Sequence, residues 1–296
     1  MRTVFQVDAF TDRLFAGNPA GVVLGADGLD DATMQAIARE LHCSETAFVM
    51  APSEAAVARA GATHRVRFFT PACEVPVCGH ATVATFHVLT LRGAAQGRAV
   101  MECKAGDLPV QVDRTGARAQ VTLTLRKAAF VEAPFRGVVS QSVGLPPDAI
   151  APKPAPALVS VGEWIAILPV LGPDVLLHCA PNAPKIRGLG GTRAVTGVYA
   201  VALDSDSEVG PVSRARARFF GAEGSGIVED PATGVAAGSL AAWLAKLGRL
   251  APGEALVVEQ GIECGRPSTL VARAGQDGCP SVTGTAVTAF ETTLDV

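Results

Sequence analysis

The chain has 296 residues, of which 49% are hydrophobic and 18% are charged, and its formal net charge is −3. This length favours two domains of ordinary size, and the composition excludes a disordered chain. No run of basic residues supports a nucleic-acid surface, and no apolar stretch reaches membrane-spanning length. The N-terminal segment MRTVFQVDAF predicts a strand and carries no signal-peptide pattern, so we expect a cytoplasmic protein without a membrane partner.

Cysteine usage sets a second limit on function. The chain has seven cysteines, and this odd number argues against a disulfide framework. No Cys-x-x-Cys pair is present, which argues against a structural zinc site, and no dinucleotide-binding fingerprint occurs. We therefore expect neither a metal nor an organic cofactor, and most of the cysteines should be small buried hydrophobic residues.

The first elements follow from local patterns. A first pair of strands turns at Gly17-Asn18-Pro19, which is a strong turn signal. Asp30 can cap a helix that ends near His42, and Ser44-Glu45-Thr46 then opens another strand. A glutamate at a strand entrance, taken by itself, favours a solvated residue at the edge of the sheet.

The stretch from Arg67 to Thr82, RFFTPACEVPVCGHAT, organises the first half of the chain. It begins as a strand, crosses a loop that contains two prolines, and delivers Cys78-Gly79-His80 to the start of a helix. The first N–H groups of a helix have no partner within it, so they can bind an anion. A substrate carboxylate could be held there while the Cys and His side chains face it.

A second stretch, which begins at Ala217, repeats the order of strand, loop and small-residue helix. Counted from the two arginines, Cys78 lies eleven residues after Arg67, and Asp230 lies twelve residues after Arg218. This match predicts a duplicated domain in which a second polar group reaches a second helix start. Coincidence is the alternative, because short Arg-Phe-Phe matches arise by chance in alanine-rich sequence.

The two helices that follow these loops, ATVATFHVLTL and GVAAGSLAAWLAKL, are apolar or small on nearly all sides. A helix of this kind in a globular protein must be surrounded by other parts of the protein. Strand patterns such as RAQVTLTL, TGVYAVAL and STLVARA lie around both helices. The sequence therefore predicts α/β domains in which a sheet curls about one central helix.

The residue patterns alone nominate Glu45, Cys78, His80 and Asp230 for chemistry. A thiol at a helix start tends towards thiolate, which suits a base or a nucleophile. His80 has a structural alternative, a hydrogen bond to the backbone, and Asp230 before Pro231 is a frequent capping pair. Two helix starts that met across a cleft would form a dry, positive pocket for an acidic small molecule.

At these residues the sequence resembles the PhzF-like (phenazine biosynthesis) isomerase family, within the diaminopimelate epimerase fold superfamily. The resemblance spans nearly the whole chain in order. Its motifs are FQVDAFT, AGNPAGVV at 16–23, LHCSETAFV at 41–49, RFFTPACEVPVCGHAT at 67–82, EDPATG at 229–234 and a partial EQG match at 259–261.

The resemblance implies an α/β (α+β) fold of two similar domains, each a curled, mainly antiparallel sheet around a central helix. We expect an N-terminal epimerase-like domain formed by residues 1–115 plus 282–296 and a C-terminal one formed by residues 116–281. The last strand, near residues 283–290, should return to the first domain. The resemblance places the active site in the cleft between the domains.

The resemblance also implies an isomerase that moves a proton within an unsaturated acidic small molecule, without a cofactor. Glu45 matches the family's proton-transferring carboxylate, and His80 and Asp230 match residues that contact the substrate and position the proton. A single carboxylate can do this chemistry by taking a proton from one carbon and returning it to another. We assign substrate binding to seven further residues: Asn18, Ser44, Cys78, Gly79, Thr82, Thr233 and Gly234.

Two alternatives remain open at this point. A thiol-dependent racemase or epimerase of the same superfamily would need two facing thiols, whereas the second-half motif offers Asp230 and Thr233 but no cysteine. A catalytically inactive protein that binds small molecules is the other alternative. Val235 departs from the family pattern, which usually has a small hydroxyl residue there, and this puts the typical phenazine-pathway substrate in doubt. The substrate, the pathway and the oligomeric state stay open, with a homodimer as one candidate.

Overall fold

The computed structural model describes residues 1–115, 118–133, 136–205, 210–224 and 226–296. The chain divides into two compact units: unit 1 comprises Met1–Thr124 and Thr283–Val296, and unit 2 comprises Leu125–Val282. The predicted boundary lies between residues 115 and 116, and residues 116 and 117 are outside the described part of the chain. Residues 118–124 form a strand that pairs within unit 1, and they therefore belong to that unit.

The secondary structure alternates strands with a few helices. The strands are β1 (Arg2–Ala9), β2 (Asn18–Leu24), β3 (Glu45–Met50), β4 (His64–Phe69), β5 (Glu74–Val75), β6 (Gly97–Cys103), β7 (Gly106–Thr115), β8 (Arg118–Thr124), β9 (Ala129–Glu132), β10 (Ala157–Ser160), β11 (Trp164–Val170), β12 (Val195–Asp204), β13 (Arg214–Gly221), β14 (Glu229–Asp230), β15 (Ala255–Gln260), β16 (Ser268–Arg273), β17 (Ser281–Gly284) and β18 (Ala286–Leu294). The helices are α1 (Asp31–Leu41), α2 (Glu54–Ala60), α3 (Gly79–Leu91), α4 (Arg136–Ser142), α5 (Pro173–Leu176), α6 (Ala183–Gly188) and α7 (Gly234–Lys246), with a 3-10 turn at Pro147–Ala149.

Unit 1 is a curled sheet around α3. Strand β1 pairs antiparallel with both β18 and β2, β2 runs parallel to β3, and β3 pairs antiparallel with β4. Strands β6, β7 and β8 continue as an antiparallel ladder. All residues of α3 from His80 to Thr90 are buried, which confirms the predicted enclosed helix. The last strand, β18, pairs within this unit, as the sequence predicts.

Unit 2 repeats this plan around α7. Strands β9, β10 and β11 form an antiparallel ladder, β11 runs parallel to β12, and β12 pairs antiparallel with β13. Helix α7 is buried along most of its length, and its glycines permit close packing. A Cβ atom added at Gly238 would lie only 2.4 Å from the Leu125 Cδ1 atom. The outer face of the sheet is covered by α4, α5 and α6, whose apolar residues share one core with β11 and β12.

The duplicated stretches have the same local construction, but their register differs from the sequence-based count. Phe69 on β4 pairs with Glu74, and Phe220 on β13 pairs with Glu229. Helices α3 and α7 each begin five residues after the glutamate of their unit, at Gly79 and at Gly234. The loop between phenylalanine and glutamate is four residues longer in unit 2, and counting from the arginines therefore misaligned the two halves.

The correct equivalents follow from this pairing. Cys78 corresponds to Thr233, because they are the N-cap residues of α3 and α7. Asp230 pairs with Phe219 as Val75 pairs with Phe68, so Asp230 corresponds to Val75 and not to Cys78. A second polar group does reach the second helix start, as predicted, but the similar counts from the arginines do not make Asp230 the equivalent of Cys78, because the loop lengths differ.

Among the described residues, no helix combines the length and the apolar character needed to cross a membrane.

Candidate active site

Three elements of unit 1 begin close to one another. Strands β2 and β3 run parallel, so Asn18 at the start of β2 and Ser44-Glu45 at the start of β3 lie at the same end of the sheet. Helix α3 begins at Gly79, directly after its N-cap residue Cys78. The side chains from these three starts surround an imidazole on the first turn of the helix.

This imidazole belongs to His80, whose residue surface is 4% exposed. Its Nδ1 atom lies 3.2 Å from Asn18 Nδ2 and 3.3 Å from Cys78 Sγ. Its Nε2 atom lies 3.2 Å from Ser44 Oγ and 3.3 Å from Glu45 Oε2. The structure thus brings four of the predicted site residues around the His80 ring, three of them buried and Ser44 half-buried.

The hydrogen bonds indicate which ring nitrogen carries the proton. Ser44 Oγ donates to Asn18 Oδ1 at 3.3 Å, so Asn18 presents its NH₂ group to His80 and donates to Nδ1. The proton of the neutral ring is then on Nε2, where Ser44 Oγ can accept it. Burial lowers the pKa of His80 to about 3, so the ring is neutral near neutral pH. The Nε2–H group therefore donates to Ser44 Oγ at 3.2 Å and lies 3.3 Å from Glu45 Oε2.

Glu45 is 7% exposed, and the expectation of a solvated edge residue is wrong. Strand β3 is an interior strand, with β2 on one side and β4 on the other, so its first residue is covered by the sheet and by α3. Transferring a carboxylate into such a site is costly unless other polar groups interact with it. The neutral His80 ring supplies one such group.

Glu45, Cys78 and His80 form what we call the Glu–Cys–His cluster. Within the described part of the chain, one ligand atom from each residue lies within 4.8 Å of the other two. Carboxylate, thiolate and imidazole are all ligands that Zn²⁺ accepts. The cluster can therefore take part in proton transfer or hold a transition-metal ion.

The start of α3 is also where the sequence predicts an anion site, and this assignment stays a prediction. Thr82 N donates to the Cys78 carbonyl at 3.0 Å in the first helical hydrogen bond, so the N–H groups of Gly79, His80 and Ala81 have no partner inside the helix. The Thr82 hydroxyl donates to the same carbonyl at 2.7 Å and is buried. This contact stabilises the helix start, and the assignment of Thr82 to substrate binding stays a prediction.

The three predicted residues of unit 2 lie together at the start of α7. Asp230, which is 5% exposed, accepts a 2.6 Å hydrogen bond from the Thr233 hydroxyl. Thr233 is the N-cap residue of α7, and Gly234 is its first helical residue. Within the described residues, unit 2 thus presents a carboxylate and a hydroxyl beside a buried helix start.

Sequence reasoning missed several residues that support this second group. Gln260 donates hydrogen bonds to both Asp230 and Thr233, whereas the sequence indicates it only through the partial EQG match at 259–261. Arg218 forms two hydrogen bonds with Glu229, at 2.8 and 2.7 Å, and so anchors the strand that carries Asp230. The repeated Arg-Phe-Phe pattern held the signal for this pair, because in unit 1 the matching arginine, Arg67, donates through Nε to Glu74 at 2.8 Å.

The fold of this chain is similar to those of solved structures. A Bacillus anthracis protein of the PhzF family superposes with a TM-score of 0.86 and 28% sequence identity, over 100% of this chain and 99% of that chain. A hydroxyproline epimerase from Agrobacterium vitis shares the fold at a TM-score of 0.64 and 14% identity, over 98% of this chain and 91% of that chain. The two curled-sheet units, each with an enclosed helix, define the diaminopimelate epimerase-like class of folds.

Sequence comparison then fixes the family. The model of the phenazine biosynthesis-like protein family, PhzC-PhzF, matches residues 7–292. An uncharacterized isomerase, YddE, from Salmonella typhimurium is 35% identical over 90% of this chain and 88% of the relative. A trans-2,3-dihydro-3-hydroxyanthranilate isomerase from Pseudomonas chlororaphis is 30% identical over the same shares. The chain belongs to the phenazine biosynthesis-like family, and it is an isomerase.

Proposed function

We propose that this isomerase moves a proton within an unsaturated acidic small molecule, that Glu45 carries the proton, and that the reaction needs no cofactor. The observation that carries the proposal is the buried Glu45 carboxylate, 3.3 Å from the Nε2 atom of a neutral His80. Burial favours the neutral form of a carboxylate, and a proton carrier works best when its pKa approaches the working pH. Glu45 then accepts a proton from one carbon and returns it to another.

The surrounding groups have supporting roles in this proposal. His80 keeps its proton on Nε2, 3.3 Å from Glu45 Oε2, and we assign it the role of donating to this oxygen as negative charge develops there during transfer. The N–H groups at the start of α3 bind the substrate carboxylate, for which the helix dipole adds attraction. The sequence-based prediction that Asp230 serves the same substrate as Glu45 stays a prediction, and an Asp230→Asn variant tests it.

The substrate class comes from the family. The relative from Pseudomonas chlororaphis is named for a dihydro-hydroxyanthranilate, which is an unsaturated ring carboxylate. Val235 stands where the family pattern has a small hydroxyl residue, so this chain lacks one hydrogen-bonding group at that position. We therefore propose an unsaturated carboxylate of this class with a less polar group near Val235.

The experiment compares Glu45→Gln, Cys78→Ala and the wild type in deuterated water, with unsaturated ring carboxylates as substrates and NMR as the assay. Glutamine keeps the shape of the side chain but removes its basic oxygen, so ligand binding should persist. Turnover should fall by on the order of 10⁴-fold or more, because general acid–base catalysis by a sole carrier is lost. Cys78→Ala should cost much less, since the thiol has no partner thiol in the matching motif.

Glu54, an exposed glutamate at the start of α2, provides the matched control. Glu54→Gln removes the same charge from the same unit and should leave turnover unchanged. If Cys78→Ala abolished turnover while Glu45→Gln kept it, the thiol-dependent racemase would replace our proposal. Binding without turnover across the whole panel would instead support the inactive binding protein.

A further inference from the structure

A line of polar side chains in unit 2 lies behind Asp230. Tyr199 on β12 and Gln260 at the end of β15 are both fully buried. Tyr199 is the only tyrosine of the chain. The Tyr199 hydroxyl donates to Gln260 Oε1 at 2.9 Å, Gln260 Nε2 donates to Thr233 Oγ1 at 3.0 Å, and Thr233 Oγ1 donates to Asp230 Oδ2 at 2.6 Å.

Backbone groups fix the orientation of the Gln260 amide. Its Nε2 atom donates to the Asp230 carbonyl at 2.7 Å, and its Oε1 atom accepts from the Thr233 N–H at 3.3 Å. Turning the amide over would place its NH₂ group against an N–H and its oxygen against a carbonyl. Since a backbone N–H can only donate and a carbonyl can only accept, the turned amide would lose both hydrogen bonds.

The amide orientation then determines the direction of the remaining hydrogen bonds. Thr233 Oγ1 accepts from the Gln260 NH₂ group and has a single proton of its own to donate. That proton points to Asp230, and the 2.6 Å distance is typical of a hydroxyl that donates to an ionised carboxylate. Every donor in the line therefore points towards Asp230, and hydrogen bonds arranged in this way strengthen one another.

The far end of the line must stay protonated if it is to donate. Burial raises the pKa of Tyr199, and the negative charge of Asp230 raises it further. The phenol therefore remains a donor across the range in which proteins are folded. Its charge state is coupled to that of Asp230, although the side chains of Gln260 and Thr233 lie between them.

We propose that Tyr199, Gln260 and Thr233 form a one-directional hydrogen-bond chain that holds Asp230 ionised and fixes the orientation of its carboxylate. Tyr199 and Gln260 are positioning residues in this scheme, since they act through Thr233. The importance of the chain for turnover rests on the proposed function, in which Asp230 belongs to the active site. The chain itself can be tested without any substrate.

The first test uses the single tyrosine as a probe. Tyrosine labelled with ¹³C at Cζ gives one NMR resonance, and its chemical shift should change with pH as Asp230 takes up a proton. The change should vanish in Asp230→Asn. It should persist in the control Asp204→Asn, which removes an exposed carboxylate at the end of β12, the strand that carries Tyr199. In Thr233→Val its amplitude should fall by at least half, whereas Thr233→Ser should retain it.

The second test measures turnover. Thr233→Val removes a hydrogen bond to a charged group and should lower kcat/KM roughly 10- to 100-fold. Thr233→Ser keeps the hydroxyl group and should therefore lose less activity than Thr233→Val. Tyr199→Phe removes a neutral hydrogen bond and should lower it about 3- to 10-fold. Both substitutions should lower kcat more than they raise KM. The acid limb of the pH profile should also move to higher pH, because the ionised form of Asp230 is less well stabilised.

The outcomes separate the two proposals. A tyrosine shift that ignores pH, or one that Thr233→Val leaves unchanged, overturns the chain whatever the activity. A shift that follows Asp230 and weakens in Thr233→Val supports the chain even if Asp230→Asn turns over normally, and in that case the assignment of Asp230 to the active site fails instead. Coupled losses in both tests support both proposals.

Discussion

Replacement of His87 by leucine should remove a defined part of the acid sensitivity of this fold. His87 lies on α3, seven residues after His80, and is 4% exposed. Its Nε2 atom lies 3.3 Å from the Thr288 hydroxyl on β18, and its Nδ1 atom has no hydrogen-bond partner among the described residues. A charge on this ring would therefore be buried with little compensation.

The magnitude follows from the two pKa values. Burial lowers the pKa of His87 from 6.5 to about 4. The unfolded chain therefore binds a proton first as the pH falls, so stability is complete above about 6.5 and is lost towards 4. The difference between the two pKa values corresponds to about 3 kcal/mol in the free energy of unfolding, of which about 2 kcal/mol is lost by pH 5. Leucine has similar bulk and does not titrate, so the variant should lack this loss.

Urea unfolding of wild type and His87→Leu at a series of pH values from 4.5 to 7.5 measures the effect. At pH 7.5 the free energy of unfolding of the variant should be lower than that of the wild type by about 1 kcal/mol, because the variant loses the hydrogen bond to Thr288. The gap between the two proteins should then close or reverse by pH 5. His178→Leu, which changes an exposed histidine, serves as the control and should run parallel to the wild type. Parallel curves for His87→Leu would refute the reasoning.

Two further predictions concern packing and metal ions. Gly197→Ala should lower the free energy of unfolding by more than about 2 kcal/mol, because the added Cβ would lie 2.3 Å from Phe219 Cζ and 2.6 Å from the Phe220 carbonyl; an unchanged urea midpoint would contradict this. Zn²⁺ should inhibit turnover by occupying the Glu–Cys–His cluster, and it should inhibit Cys78→Ala less. EDTA should leave the activity of the purified enzyme intact. Activity lost to EDTA and restored by one particular metal would overturn the cofactor-free proposal.

The sequence predicts well those features of the fold that depend on residues close together in the chain. Asp30 caps α1 by accepting from Thr33 N, and the helix closes at His42, as expected from local signals. The two enclosed helices were predicted because they are apolar on all faces, and no other environment would accommodate them. These features need no knowledge of which strand lies beside which.

Features that depend on distant residues could not be predicted from patterns alone. The burial of Glu45 follows from β2 and β4 flanking β3, which is a matter of strand order. The contact of Tyr199 with Gln260 joins residues 61 positions apart. The equivalence of Cys78 with Thr233 depends on strand pairing, which residue counting could not reveal across loops of different length.

This equivalence bears directly on the chemistry. A thiol-dependent racemase places a cysteine at both helix starts, since inversion at one carbon needs a base on each face. Here Cys78 caps α3, but its counterpart on α7 is Thr233, whose hydroxyl proton is directed to Asp230. The acidic groups, Glu45 and Asp230, occupy positions that are not equivalent in the two units. A duplicated scaffold that carries unequal groups suits the transfer of a proton between two different carbons better than inversion at one.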